Sequence, residues 1–492
     1  MKKIAIICDT HLPADSTSAQ YAFLQRAIDQ MKQDNIDTVL TLGDMTSYGQ
    51  IEAFQKYCEL MKDFVHYDVI GNAEIRDAAT VADMETYFKP IRFQVGHRTL
   101  YGINVSRGII TAEDRAFLED IKNDDILFFH HGPDRLDEES TAWLRALCEE
   151  KALLLLHGHR HMDEDRFIGR TRAIGFRGLD PDKAIGGYPA INYMNISDDD
   201  VTFEECTFPA SKETLQNLRQ HFGISCVDNL RDVLFATEHS VKYIELRCNG
   251  KTWVPDETLL PLLDKWRKAT NGYLSVHMPN LRYRDGEFVG REQFREAAEY
   301  ALLVQADGLT IHPPRVKISD MPEGSPLWQE MLEQYVMAVQ MMPGGVKIGI
   351  ENVHVEKGDD LGENRPFGVI PEDICRWISA IDEAVGIPGR IGHVQDVGHA
   401  RNNAKFASLY PVGRWQKLMG QKTVAYHIHQ TVRAEGGLKN HKPLTEWFGP
   451  MINYTSFFYN WEKGILNHVP VFLEVKGCDN FAMSLEAFDK LL

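Results

Sequence analysis

The sequence lacks the features that mark membrane and secreted proteins. No apolar run approaches the roughly 20 residues of a membrane-spanning helix. The short apolar run after Met1-Lys2-Lys3 ends at Asp9, which makes it too short for the core of a signal peptide. The eight cysteines are scattered and include no C-x-x-C pair, so neither a zinc knuckle nor a dense disulfide framework is indicated. These absences predict a cytoplasmic protein with reduced thiols and no membrane partner.

Positive charge is also scarce in this chain. The 53 Lys and Arg residues are outnumbered by 71 Asp and Glu residues, which gives a net charge of -18. Phosphate contacts need a basic surface, so nucleic acid is a disfavoured partner, although bound metal ions can supply positive charge locally. The length of 492 residues is too great for one ordinary domain and suits two or three.

Five short apolar runs in the first half of the chain are followed by side chains that can bind metal ions. We interpret these runs as buried strands with helices between them, the pattern of a layered α/β domain. One such ending is usually a structural accident, but five in succession favour a paired transition-metal site. The predicted strands are 4–8, 38–42, 67–70, 126–129 and 152–156, and a last strand is expected at 201–208.

The order of these strand ends, Asp-x-His, Gly-Asp, Gly-Asn-x-Glu, His and Gly-His-x-His, resembles the calcineurin-like metallophosphoesterase family over residues 1–208. The resemblance implies a layered αββα domain that hydrolyses phosphomonoesters or phosphodiesters. It also implies two divalent ions (Mn, Fe or Zn), which clamp a phosphoryl group and activate a water molecule near neutral pH. One ion would be held by Asp9, His11 and His161, the other by Asn72, His130 and His159, with Asp44 bridging the two. His131 is the alternative to His130 as a ligand and otherwise a candidate substrate-binding residue.

The chain departs from the family pattern at Ala73. The family usually has His at this position, and that His protonates the leaving oxygen or stabilises the transition state. Loss of such a group typically lowers the rate by a factor on the order of 10² to 10⁴. Ala73 is either a natural divergence or an engineered substitution that traps a substrate, and the intact ligand set slightly favours the second. In both cases metal binding should persist.

The second half of the chain repeats a strand and helix pattern eight times. Eight such units over about 280 residues predict a (β/α)₈ TIM barrel spanning residues 211–492, in which catalytic residues lie at the C-terminal ends of the strands. The predicted strands are 223–227, 242–247, 273–278, 308–312, 346–352, 390–396, 423–429 and 471–476. Several inward-facing charged groups at these ends would repel one another unless a cation paired them.

The barrel half resembles the xylose isomerase-like TIM barrels, a superfamily of sugar (phosphate) isomerases and epimerases that also contains endonuclease IV. The motifs that carry this resemblance are Ser275-Val276-His277, Ile311-His312-Pro313, Glu351-Asn352, Asp396-Val397-Gly398-His399-Ala400, His427-x-His429 and Leu473-Glu474. It implies a metal site of Glu351, Asp396, His427 and Glu474. In the epimerase branch, Glu351 and Glu474 would also move a proton on either face of an enediolate, and His399 and Arg433 would contact the sugar.

The endonuclease IV branch implies up to three metal ions (Mn or Zn) in the barrel. His277 and His312 match its additional first-site ligands, and His399 and His441 match part of its third site. The acidic ligand that accompanies the third site is Lys439 in this chain, which places the third ion in doubt.

Together these patterns predict a bifunctional metal-dependent enzyme. The first domain would hydrolyse a phosphoester, and the barrel would isomerise or epimerise a small sugar or sugar phosphate. One alternative is a nucleotide or nucleic-acid phosphodiesterase with a multinuclear barrel. Another is a first domain that acts as a weakly active binding module because of Ala73. A homo-oligomer is compatible with all three hypotheses.

Overall fold

The computed structural model of the chain describes residues 2–247, 253, 257–284, 286–435 and 437–492. The chain forms two compact units, the first comprising Met1–Pro209 with Phe448–Ser456, and the second comprising Ala210–Trp447 with Phe457–Leu492. Among the described residues, no helix combines the length and apolarity needed to cross a membrane. Seven of the eight cysteines are free thiols, and Cys248 lies outside the described residues.

Unit 1 alternates strands and helices along the chain. Its strands are β1 (Lys2–Ile7), β2 (Thr38–Thr41), β3 (Val65–Asp68), β4 (Ile91–Val95), β5 (Arg98–Gly102), β6 (Ile126–Phe129), β7 (Leu154–His157), β8 (Glu164–Ile168), β9 (Thr171–Gly175), β10 (Ala190–Ile196) and β11 (Val201–Thr207). Its helices are α1 (Ala19–Gln33), α2 (Ile51–Met61), α3 (Val81–Tyr87), α4 (Ala112–Phe117) and α5 (Glu138–Glu150), with a 3₁₀ helix at Pro133–Arg135.

The strands of unit 1 form two sheets that pack face to face. One sheet has the order β11-β10-β1-β2-β3, and the other has the order β4-β5-β6-β7-β9-β8. A single apolar core joins Ile6 and Leu40 of the first sheet to Phe128 and Leu156 of the second. The outer face of the second sheet packs on α5 through residues such as Leu144. This is the expected αββα layering, and β1, β2 and β3 run parallel, as do β6 and β7.

Residues Phe448–Ser456, late in the sequence, belong to unit 1. The Phe448 carbonyl accepts a hydrogen bond from Gly186 N at 2.8 Å, and Asn453 N donates to the Asp182 carbonyl at 3.2 Å. No periodicity or motif in the sequence predicts that this late segment belongs to unit 1.

Unit 2 contains a closed barrel of eight parallel strands. The strands of the unit are β12 (Phe222–Ser225), β13 (Tyr243–Leu246), β14 (Tyr273–His277), β15 (Arg282–Arg284), β16 (Glu287–Val289), β17 (Gly308–Ile311), β18 (Lys347–Glu351), β19 (Ile391–Asp396), β20 (Thr423–Ile428), β21 (Gln430–Ala434), β22 (Gly437–Lys442) and β23 (Val471–Leu473). The order of the strands around the barrel is β12-β13-β14-β17-β18-β19-β20-β23. The other four strands form two separate hairpins, β15-β16 and β21-β22.

Helices lie between the barrel strands along the chain. They are α6 (Lys212–Arg219), α7 (Asn229–Glu238), α8 (Leu259–Thr270), α9 (Arg291–Leu303), α10 (Pro326–Met341), α11 (Pro371–Val385), α12 (Val397–Arg401), α13 (Phe406–Leu409), α14 (Val412–Met419), α15 (Thr455–Glu462) and α16 (Cys478–Asp489), with 3₁₀ turns at Ile318–Asp320 and Gly420–Lys422. The predicted fold class, an αββα domain followed by a (β/α)₈ barrel, is confirmed.

Candidate metal centres

The candidate ligands of unit 1 follow the C-terminal ends of parallel strands. Asp9 and His11 come after β1, Asp44 after β2, and His159 and His161 after β7. The backbone at all five residues is left-handed, with φ between 45° and 69°. A non-glycine residue adopts this conformation at a cost, and such residues cluster at functional sites.

Four of these residues form the first cluster, Asp9, His11, Asp44 and His161. His161 Nε2 lies 3.2 Å from Asp9 Oδ1 and 3.2 Å from His11 Nε2, and His11 Nε2 lies 3.6 Å from Asp44 Oδ2. His11, Asp9 and Asp44 are buried. The structure therefore brings together the residues predicted for one ion.

The second cluster, Asp44, His130 and His159, shares Asp44 with the first. His130 Nε2 lies 3.2 Å from Asp44 Oδ1, 3.2 Å from His159 Nδ1 and 3.1 Å from Asn72 Oδ1. The predicted second ligand set is thus also assembled, with Asp44 between the two groups.

The tautomer of His130 suits a metal ligand. Its Nδ1 lies 2.7 Å from the Leu42 carbonyl and donates to it, so Nε2 is directed at Asp44. Burial disfavours the charged imidazole, but the Asp44 and Asp9 carboxylates and the Leu42 carbonyl together outweigh burial and raise the pKa of His130 to about 9. Burial likewise opposes ionisation of Asp44, but His130, His11 and Arg76 together outweigh it and hold the Asp44 pKa well below its usual range. A bound cation would replace the His130 proton on Nε2 and would supply the positive charge beside Asp44 in its place.

Ala73 and Glu74 support Asp44 from the loop after β3. Ala73 N donates to Asp44 Oδ1 at 2.7 Å, and the methyl group of Ala73 is buried. The Glu74 carboxylate accepts from Asp44 N, Gly71 N and Thr46 at 2.8 to 3.0 Å. Burial and the nearby Asp44 charge raise the pKa of Glu74 to about 7. Gly71 is required at its position, because a Cβ there would lie 2.2 Å from Asp44 Oδ1.

His131 lies beside the second cluster, with its ring centroid 4.3 Å from that of His159. Burial and the neighbouring His130 charge lower the pKa of His131 to about 4, so the ring is neutral at pH 7. The described clusters contain His130 and not His131. His131 therefore remains a candidate substrate-binding residue.

In the barrel, Glu351 at the end of β18 is surrounded by histidines. Its Oε2 lies 3.0 Å from His277 Nε2 and 3.1 Å from His312 Nε2. Its Oε1 lies 3.2 Å from His427 Nδ1 and 3.4 Å from His399 Nδ1. Two of the groups able to hold a metal ion are His277-Glu351-His427 and His312-Glu351-His399.

Glu474, which directly follows β23, also contacts His427. Its Oε2 lies 3.3 Å from His427 Nδ1, and its Oε1 lies 3.4 Å from His441 Nε2 and 2.6 Å from Arg247. Burial opposes ionisation of Glu474, but the charges of Arg247, His441 and His427 together outweigh it and lower the Glu474 pKa well below its usual range.

A further cluster consists of Asp396, His399, His429 and His441. Asp396 Oδ2 lies 3.2 Å from His399 Nδ1, and Asp396 Oδ1 lies 3.3 Å from His429 Nε2. His441 N lies 3.1 Å from His429 Nδ1. Gly398 makes room for the His429 ring, because a Cβ at position 398 would lie 1.9 Å from His429 Cε1. His429, to which the sequence analysis gave no role, is thus a member of this cluster.

The clusters contain buried ligand atoms that no hydrogen bond satisfies within the described part of the chain. These atoms are Asp9 Oδ1, Glu351 Oε1, Asp396 Oδ2, His427 Nδ1, His441 Nε2 and Glu474 Oε2. Buried carboxylate oxygens without donors are costly, and a bound cation relieves that cost. The donor set of carboxylate and imidazole groups fits Mn, Fe or Zn.

Arg433, a predicted substrate-binding residue, lies on β21 with an exposed side chain, whereas the candidate ligands are buried or partly buried. Three residues at the barrel site carry no assignment in the sequence analysis: Glu245, Arg247 and His429. Side chains alternate between the two faces of a strand, and this alternation within Tyr243–Leu246 directs Glu245 towards the barrel interior. It is the one sequence pattern that could have identified Glu245 as a site residue.

Comparisons with known proteins match the two halves separately. Residues 1–175 match the model of the calcineurin-like phosphoesterase superfamily domain. No curated protein matches the chain. A solved D-tagatose 3-epimerase-like protein is 20% identical over 55% of this chain and 96% of its own, with a TM-score of 0.38.

Two further solved structures are similar to one half each. A xylose isomerase domain protein from Alicyclobacillus acidocaldarius is 17% identical over 55% of this chain and 96% of its own, with a TM-score of 0.37. A dimetal phosphatase from Danio rerio is 11% identical over 42% of this chain and 96% of its own, with a TM-score of 0.29. Residues 1–175 thus match the calcineurin-like phosphoesterase superfamily domain, and the same chain also contains a closed eight-stranded barrel.

Proposed function

We propose that the chain is a bifunctional metal-dependent enzyme whose first unit hydrolyses phosphoesters. The observation that carries this proposal is the convergence of two ligand clusters on the shared carboxylate of Asp44. Two divalent ions held in this way would polarise a phosphoryl group and activate water for in-line attack. Asp44 would be the common ligand, and His130 would be held in the required tautomer by the Leu42 carbonyl.

The test is hydrolysis of p-nitrophenyl phosphate and bis(p-nitrophenyl) phosphate with Mn²⁺. The protein should hydrolyse at least one of them, slowly because of Ala73, and Asp44→Asn should abolish that activity. Asp29→Asn, which changes an exposed carboxylate on α1, is the matched control and should leave the rate unchanged. Equal rates for Asp44→Asn and the unsubstituted protein would contradict the proposal.

For the barrel, two activities are supported by different observations. Isomerisation or epimerisation of a small sugar phosphate is supported by Glu351 and Glu474, which lie 3.2 Å and 3.3 Å from the same nitrogen of His427. Two carboxylates beside one ligand suit proton transfer on both sides of a substrate. Incubation in D₂O with a panel of aldose and ketose phosphates tests this, since proton transfer at carbon incorporates deuterium that NMR detects.

Phosphodiester chemistry at a multinuclear centre is the second candidate for the barrel. It is supported by the number of ligands, because Glu351 contacts four histidines and His429 completes the Asp396 cluster. The net charge of -18 favours a small phosphodiester over a long nucleic acid. Metal analysis separates the candidates, because a barrel with one ion supports isomerisation and a barrel with three supports the multinuclear site.

The third alternative, a weakly active binding module in the first unit, is supported by Ala73 alone. It predicts that the unit binds two ions and a phosphate ester without measurable turnover. If Ala73→His restores activity, the metal ligands are already arranged for catalysis. That result would count against a purely binding role.

A further inference from the structure

The loop from Leu179 to Tyr188 contacts two candidate ligands of the first cluster. Asp180 N donates to the Asp9 carbonyl at 3.0 Å, and Ile185 N donates to the His161 carbonyl at 2.7 Å. His161 Nδ1 lies 3.3 Å from the Lys183 carbonyl and donates to it. That contact leaves Nε2 as the lone-pair nitrogen, 3.2 Å from Asp9 Oδ1. The loop therefore determines which nitrogen of His161 faces the cluster.

Asn453, which follows Ala184 by 269 positions in the sequence, forms hydrogen bonds with this loop. Asn453 Nδ2 donates to the Ala184 carbonyl at 2.6 Å and to the Gly187 carbonyl at 3.0 Å. Its backbone N donates to the Asp182 carbonyl at 3.2 Å. Asn453 is buried, and its Oδ1 accepts from Thr455 N at 2.8 Å, which fixes the orientation of the amide.

Ser456 and Phe448 hold the same loop beside Asn453. Ser456 Oγ donates to Asp182 Oδ1, and Gln20 Nε2 donates to Asp182 Oδ2 at 2.9 Å. Gly186 N donates to the Phe448 carbonyl at 2.8 Å. The loop is thus bonded to the segment Phe448–Ser456 on one side and to the candidate ligands Asp9 and His161 on the other.

We propose that Asn453 is a positioning residue for the first metal cluster, acting through the loop Leu179–Tyr188 on the ring of His161. The inference rests on the proposed metal centre of unit 1. Partners that orient a metal-ligating His typically change metal affinity by about 10- to 100-fold when they are altered. Asn453→Asp has the same shape but places a carboxylate oxygen against two carbonyl oxygens, so it removes both donated bonds.

The test is a Co²⁺ titration of the full chain, followed by the visible absorption of the bound ion. Every protein carries Glu351→Gln and Asp396→Asn, which remove the carboxylates shared by the barrel clusters. The reference protein should bind two Co²⁺ ions in unit 1. Asn453→Asp should weaken one of them by about 10- to 100-fold, the same one that His161→Ala removes, and leave the other unchanged.

Two further variants keep the test decisive. Asn403→Asp, which alters a buried Asn that donates to the Val369 carbonyl in the barrel, should leave both Co²⁺ ions unaffected. Ser456→Ala should produce a smaller selective loss and replaces Asn453→Asp if that variant does not fold. Unchanged affinities, or equal weakening of both ions with a lowered melting temperature, would overturn the proposal. A reference protein that binds no Co²⁺ in unit 1 would instead contradict the proposed function itself.

Discussion

Glu245 and His427 form a buried pair in the barrel, with Glu245 Oε2 3.0 Å from His427 Nε2. The pair turns His427 Nδ1 towards Glu351 and Glu474. Burial opposes the charge on Glu245, but the adjacent His427, together with His277 and Arg247, outweighs it and lowers the Glu245 pKa to about 2. A carboxylate that holds the second nitrogen of a metal-binding His sets both its tautomer and its basicity.

We predict that Glu245→Gln weakens metal binding in the barrel by about 10- to 100-fold, because Gln can still accept a hydrogen bond but no longer supplies the charge. Competition with a chromophoric chelator measures this affinity. Ser275→Ala is the control, since Ser275 Oγ makes only a 3.4 Å contact with the same carboxylate. An unchanged affinity in Glu245→Gln would show that His427 does not bind the ion through Nδ1.

Ala73→His should raise hydrolysis of bis(p-nitrophenyl) phosphate in the presence of Mn²⁺ by a factor on the order of 10² to 10⁴. The reason is that an imidazole beside Asp44 and Asn72 supplies the proton-handling group that the site lacks. The same substitution combined with Asp44→Asn should give no gain. If the rate of hydrolysis stays constant while two ions remain bound, Ala73 does not limit the rate at this site.

His429→Ala should reduce the number of ions bound by the full chain by one, because it removes a ligand from the Asp396 cluster. Gly398→Ala should have the same effect by displacing the His429 ring. Lys439→Ala, on β22 with an exposed side chain, is the control and should leave the count unchanged. Elemental analysis after gel filtration gives the count. Equal metal content in all four proteins would show that His429 is not a ligand.

His393 on β19 should make the barrel less stable in mild acid. The residue is fully buried, and neither ring nitrogen has a hydrogen-bond partner among the described residues. Burial lowers the His393 pKa to about 3. The unfolded chain therefore binds a proton below about pH 6.5 while the folded chain does not, so stability falls with pH from 6.5 towards 3.

His393→Phe should remove this dependence and reduce the stability lost between pH 7.5 and pH 5 by about 2 kcal/mol. Urea unfolding in EDTA, followed by tryptophan fluorescence, is suitable because seven of the eight tryptophans lie in unit 2. A parallel pH dependence in both proteins would show that His393 is protonated in the folded barrel.

Strand ends were the most informative signal in this sequence. Asp9, Asp44 and His130 follow short apolar strands, and because those strands are parallel their ends meet at one edge of the sheets. The eight barrel strands were located to within a few residues for the same reason. The antiparallel pair β4-β5 was not predicted, since alternation such as that of Ile91–Val95 is too short to separate from a loop.

Residues whose role depends on three-dimensional proximity could not be found in this way. Glu245 has no metal-ligand motif around it, and its role appears only where β13 faces β20 across the barrel. His429 was not identified as a candidate ligand, because the endonuclease-like pattern places an acidic ligand at position 439, where this chain has Lys439. Asn453 lies in a segment whose composition resembles any other loop, and only its hydrogen bonds with residues 182–187 reveal its place.

The left-handed backbone of Asp9, His11, Asp44, His159 and His161 has a thermodynamic consequence. Each such residue raises the energy of the folded, metal-free chain by on the order of 1 kcal/mol, and the surrounding strands and loops offset that cost when the protein folds. Metal binding then needs little rearrangement of the backbone. The free-energy cost of ordering the ligands is met during folding and does not reduce the metal affinity. A glycine at position 11 would consequently give a metal-free protein more stable than alanine there, although both lose the ligand.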